Sequence, residues 1–176
     1  ERLRAGSLNW TAIDRGALLV GPPGCGKSLF ARGLATTCKV PLITGSYGTW
    51  LGTGGGHQGT LLKGMRDTFA DARGRAPCIL FIDEIDSFPD RTAVRHAYRD
   101  WEIQVVNALL AEIDGVESRD GVILLGACND ASRLDPALIR SGREDRVVVA
   151  MMPADALRIR FEPALPDDKQ ALLAGW

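Results

Sequence analysis

The chain has 176 residues, 45% hydrophobic and 24% charged, a composition that excludes a largely disordered or fibrous segment and suits one folded domain. Its 21 Lys and Arg balance 22 Asp and Glu to a net charge of −1, so no global basic excess points to nucleic acid or an anionic membrane. No apolar run approaches the about 18 residues of a membrane span. The N-terminus lacks the apolar stretch of a secretory signal and an initiator methionine. The four cysteines, Cys25, Cys38, Cys78 and Cys128, show no zinc spacing, which fits a reducing, cytoplasmic compartment.

In chain order, residues 1–15 form a lead-in, and Ala17–Val20 reads as a first buried strand followed by the Gly-rich turn Gly21–Gly26. Lys27 to about Cys38 has helical spacing, with Leu29, Phe30 and Leu34 as apolar positions. Val40–Thr44 is a second strand. Seven glycines between Gly45 and Gly59 predict a segment that is flexible or threads tightly past something. Leu61, Leu62, Met65, Phe69 and Ala72 then mark a helix from about Gln58 to Arg73. Cys78–Ile82 is apolar throughout and predicts a fully buried strand. A polar loop from Ser87 to about Tyr98 leads to a helix with Ile103, Val106, Leu109, Leu110 and Ile113 on one face, ending at Gly115. Val122–Cys128 is a fourth strand, Pro136–Arg140 a short helix and Arg146–Met151 a fifth strand. Strands alternating with helices predict an α/β fold, a parallel sheet covered by helices.

Gly21-Pro22-Pro23-Gly24-Cys25-Gly26-Lys27-Ser28 fits GxxxxGK[ST] and lies between a predicted strand and a predicted helix, the setting this motif requires. Its backbone N–H groups would cradle phosphate oxygens at a helix N-terminus. Lys27 would reach the β- and γ-phosphates, the Ser28 hydroxyl would ligate Mg²⁺, and Leu29 completes the nucleotide-binding run. Ile79-Leu80-Phe81-Ile82-Asp83-Glu84 is an apolar strand ending in two carboxylates. Asp83 suits the metal, while Glu84, pointing the other way along the pleat, would polarise the attacking water. Asp86 reads equally as a capping acid or a supporting group.

These motifs, in this order, resemble the AAA ATPases of the AAA+ superfamily over about Gly16–Arg146. Gly21–Ser28 resembles Walker A and Ile79–Asp86 Walker B, while Val122–Arg146 resembles the second region of homology. The resemblance implies a P-loop NTPase three-layer αβα sandwich whose five parallel strands run 5-1-4-3-2. It implies ATP and Mg²⁺ as cofactors, Asn129 as the sensor that meets the attacking water or γ-phosphate, and Arg140 and Arg143 as arginine fingers projected into a neighbouring subunit, with Arg146 structural. It also implies self-association into a hexameric ring and a protein substrate gripped by a pore loop at Trp50-Leu51-Gly52. The glycines after Gly52, and Ser141 and Glu144 near the fingers, depart from the family pattern. Residues 16–152 would be the ATPase core, and 153–176 a tail or the start of a truncated helical lid.

Other readings stay open on sequence alone. A nucleic-acid motor or loader on the same core needs only a few lysines in a pore. A metabolite kinase would have little use for the paired arginines. A nucleotide-binding scaffold would retain the cradle without turnover. No HExxH metalloprotease motif occurs in these residues.

Overall fold

The computed structural model describes residues 16–52, 58–92, 99–117, 121–140, 147–150 and 160–161. In chain order the elements are β1 (Gly16–Val20), α1 (Lys27–Cys38), β2 (Leu42–Ser46), α2 (Tyr47–Gly52), α3 (Gln58–Gly74), β3 (Cys78–Asp83), α4 (Arg99–Glu117), β4 (Val122–Cys128), α5 (Pro136–Arg140), β5 (Val147–Ala150) and β6 (Arg160–Phe161). The sheet order is β2-β3-β4-β1-β5-β6. Its first five strands are parallel and, read from the other edge, follow the expected 5-1-4-3-2. The sixth strand adds to that expectation: it pairs antiparallel with β5 inside residues 153–176, the tail or start of a truncated helical lid. The rest of that stretch, like the lead-in, lies outside the described residues.

Alternation along the central strands sends side chains to two cores. Cys78, Leu80 and Ile82 of β3, with Val122 and Leu124 of β4, meet α3 and α4 through Leu61, Met65, Phe69, Val106, Leu109 and Ile113. Ile79 and Phe81, with Leu125, Ala127 and Leu19, face α1 through Ala31 and Ala35. Helices on both faces explain why β3 is apolar at consecutive positions instead of every second one. Leu29, read as an apolar position of α1, does not join either core and is 72% exposed. The helix α4 also runs through Gly115 to Glu117, since one glycine near a helix end costs only about 1 kcal/mol.

The stretch after β2 corrects the pore-loop reading of Trp50. Ser46 caps a short helix by accepting from the Thr49 N–H (3.2 Å), and Trp50 falls on its inner side, 3% exposed. Its indole N–H donates to Thr68 Oγ1 (2.9 Å), and its ring meets Phe88 edge-on at 6.2 Å. Of the seven glycines between Gly45 and Gly59, Gly45 threads tightly past this ring, whereas Gly48, Gly52 and Gly59 have open space and Gly54, Gly55 and Gly56 lie outside the described residues. A Cβ on Gly45 would collide with Trp50, and one on Gly64 would lie 3.3 Å from it. Buried this way, Trp50 is a core residue with no surface for a substrate. Leu51 is half-buried and Gly52 exposed, while residues 53–57 lie outside the described residues.

Trp50→Ala is therefore expected to cost about 3–5 kcal/mol in urea unfolding, and Gly45→Ala about 1–3 kcal/mol through overpacking. An exposed loop tryptophan would change stability by less than about 0.5 kcal/mol.

Candidate functional site

The C-terminal ends of β1, β4 and β3 lie side by side, with the Gly21 N–H donating to the Cys128 carbonyl (3.2 Å) where β1 gives way to its turn. Gly24 and Gly26 hold φ values of +80° and +89°, a conformation side-chain-bearing residues rarely adopt. Gly26 then caps α1, whose first-turn N–H groups face the turn. Lys27, only 8% exposed, is folded back into this loop. Its ammonium donates to the carbonyls of Gly21 (2.7 Å) and Pro22 (3.2 Å) and to Asn129 Oδ1 (2.9 Å), with Cys25 Sγ at 3.8 Å. A cationic group, the first-turn N–H groups of a helix and glycines with open space around them (Gly24 and Gly26) fit a polyphosphate.

Beside it, the Ser28 hydroxyl donates to Asp83 Oδ2 (3.0 Å), which brings together the two oxygen donors expected to hold Mg²⁺. A hydroxyl and a carboxylate suit that hard cation, which takes few protein ligands and fills its sphere with phosphate and water. A cleft of about 240 Å³ opens next to them, lined also by Arg32, Thr44, Ser46 and Thr49. Glu84 departs from the pleat reading. It lies one residue past β3 with φ +52°, in the left-handed region, and its exposed side chain is aimed by that turn instead of by strand alternation. A glutamate held there, at an acid-bearing strand end, stores strain of the kind that functional positions retain.

Asp86 resolves as a supporting group. Nearly buried at 9% exposure, its Oδ2 accepts from the backbone N–H groups of Asn129 (3.0 Å) and Asp130 (3.4 Å). The carboxylate after β3 thus fixes the backbone after β4 and, with it, the Asn129 side chain that meets Lys27. Burial, reinforced by the nearby Asp86 carboxylate and opposed by Lys27, pushes the Cys128 thiol up to about 11.

A second buried carboxylate lies farther along. Asp135, 1% exposed, accepts from three groups of Arg91: N–H (3.0 Å), Nε (2.7 Å) and Nη2 (3.0 Å). It also accepts from the Ala137 N–H (2.8 Å), the N-cap bond of α5. Burial alone would raise its pKa, but these hydrogen bonds outweigh it and hold the carboxyl below its ordinary value. Arg91 Nη1 reaches Asn107 Oδ1 on α4 (2.7 Å). Sequence reasoning missed Arg91 and Asn107, because a pairing across 44 residues leaves no spacing signal. Asp135 before Pro136 is a readable helix start. Arg140 ends α5, its side chain lies outside the described residues, and so do Arg143 and Arg146.

A phosphate loop between strand and helix, its lysine, and a hydroxyl on α1 paired with the carboxylate that ends β3 define the class as a P-loop NTPase. The family model for the ATPase family associated with various cellular activities (AAA) matches residues 17–151. The chain belongs to the AAA family and is an ATPase domain. It is 45% identical over 151 residues to the ATP-dependent zinc metalloprotease FtsH of Acidothermus cellulolyticus, covering 84% of this chain and 22% of that protein. It is 40% identical over 170 residues to the ATP-dependent zinc metalloprotease FtsH 3 of Sphaerobacter thermophilus, covering 92% of this chain and 34% of that one. The crystal structure of the FIGL-1 AAA domain superposes with a TM-score of 0.66 at 30% identity, over 85% of this chain and 47% of that one. The chain thus spans between a fifth and a third of the length of these curated relatives. Among the described residues no helix is long and apolar enough to cross a membrane.

Asp86→Ala should leave nucleotide affinity near wild type yet lower turnover, and cost about 1–3 kcal/mol by stranding the N–H groups it accepts from; isotherms, turnover and unfolding on one preparation check this. At pH 8, maleimide should label exposed Cys38 while buried Cys78 and Cys128, both pushed up to about 11 mainly by burial, stay protected. Because the folded chain keeps these thiol protons where the unfolded chain releases them, stability should fall as pH rises from about 9 to about 11.

Proposed function

We propose that this domain binds ATP with Mg²⁺ at the phosphate loop, hydrolyses it in a hexameric ring of copies, and uses the cycle to remodel, unfold or translocate a protein substrate. The observation that carries the reading is the bond from Lys27 to Asn129 Oδ1 (2.9 Å), beside the Ser28–Asp83 pair (3.0 Å). Together these join the loop after β1, the acids after β3 and the polar residue after β4 into one site. Family membership supports ATP as the nucleotide, and the matched relatives are named as ATP-dependent proteases, which supports a protein substrate.

In this reading the loop Gly21–Leu29 wraps the polyphosphate, with backbone N–H groups of its non-proline residues toward the α1 end and the Lys27 ammonium orienting it, and Ser28 and Asp83 hold the metal. Bound Mg²⁺ would neutralise charge on the phosphates. Glu84 takes a proton from the attacking water, whose position Asn129 helps to fix. Arg140 and Arg143 enter the site of the adjacent copy and stabilise charge there, making turnover depend on assembly. Of the expected pore-loop residues, half-buried Leu51 and exposed Gly52 are the ones left to meet a substrate. The cysteines Cys25, Cys38, Cys78 and Cys128, none of them in a disulfide, suit action in the reducing cytoplasm.

Steady-state ATP turnover against protein concentration tests this, with Glu84→Gln and Arg143→Ala alongside. Specific activity should climb with concentration, vanish in Glu84→Gln, and fall by about 10³-fold in Arg143→Ala. Turnover that is flat with concentration and indifferent to Arg143→Ala would overturn the ring and its fingers.

A further inference from the structure

We infer that Arg91 is a positioning residue for the arginines at and beyond the end of α5, so that it acts on the nucleotide site of the neighbouring copy and not on its own. The inference rests on the proposal that Arg140 and Arg143 work in trans.

The helix α5 has only five residues, too few to fix its own direction. Two apolar anchors, Leu134 and Leu138, each 4% exposed, seat it on the core. Its N-terminal end is held by Asp135, and Asp135 is held by Arg91 through two side-chain bonds and one backbone bond. Arg91 is tied in turn to α4 through Asn107 (2.7 Å). Removing Arg91 would leave a buried carboxylate with only the Ala137 N–H among the partners described above. That charge would turn toward water and drag the start of α5 with it. Arg140 lies five residues on, about 7 Å along the axis, so a swing of about ten degrees displaces it by about 1 Å. A displacement of that size in a group that stabilises the reaction costs about 100-fold in rate.

The planar fork matters as well as the charge. Nε and Nη2 grip both carboxylate oxygens, a geometry that a lysine ammonium cannot reproduce. Arg91 itself lies in the segment that follows Asp83, Glu84 and Asp86. The clamp therefore connects the acids of one copy's site to the arginines it lends to the next.

The test is complementation between variants, at a protein concentration where specific activity has levelled. Arg91→Ala should bind a fluorescent ATP analogue with unchanged affinity and lose about 100-fold in turnover. Arg91→Lys, which keeps the charge and is the safer variant for folding, should lose less but not recover wild type. Glu84→Gln has a dead site but intact arginines. Mixed one to one with Arg91→Ala, it supplies arginines to intact sites at one interface in four, and turnover should recover to about a quarter of wild type. Arg143→Ala mixed with Glu84→Gln should recover equally. Recovery with Arg143→Ala but none with either Arg91 variant would overturn the inference and place Arg91 in its own site or in the fold alone. No recovery with Arg143→Ala would overturn the trans reading itself, and the inference with it.

Discussion

The site depends on one constraint: β1, β4 and β3 are adjacent, parallel and in register, so their C-terminal ends reach one edge of the sheet together. Val20 is level with Cys128, and Ile82 with Gly126, so Gly21, Asn129 and Asp83 emerge within reach of one another. Parallel neighbours need long crossovers, and here those crossovers are the helices that bury both sheet faces. Packing and chemistry thus share a cause. The apolar residues that make β3 a central strand also deliver its two acids to the lysine-bearing turn.

Two buried carboxylates refine that alignment. Asp86 accepts backbone N–H groups of Asn129 and Asp130, while Asp135 accepts three groups of Arg91. Each joins the segment after β3 to the segment after β4, in opposite senses. Buried charge is tolerable only when fully hydrogen-bonded, so these links have little freedom to slide. That rigidity suits a site whose catalysis is positioning and charge stabilisation.

Much of this was legible from residues alone, for identifiable reasons. The bounds of α1 and β4 follow from a glycine turn and an unbroken apolar run, signals confined to neighbours in sequence. The phosphate loop is a local motif, and Ser28, in the first turn of α1, meets Asp83 because β1 and β3 flank β4 and end on the same edge of the sheet. What escaped was long-range or overridden by packing. Trp50 looked like a residue on a mobile glycine loop, yet Gly45 and Gly64 are spaces cut for its ring. The Ser46 cap was the local sign of α2, weak beside seven glycines. Glu84 escaped strand alternation because its backbone turns left-handed immediately after β3. The short pairing of Arg160–Phe161 with β5 lies in a stretch without periodicity, where two residues carry no pattern.

The most direct test of the central claim is calorimetric titration of the chain with a non-hydrolysable ATP analogue, with and without Mg²⁺, in wild type and Lys27→Ala. The geometry predicts saturable one-to-one binding that Mg²⁺ tightens and that Lys27→Ala weakens by at least about tenfold, the loss of a charge-assisted contact. Equal affinity in both proteins, or binding indifferent to Mg²⁺, would contradict a nucleotide site built on Lys27, Ser28 and Asp83.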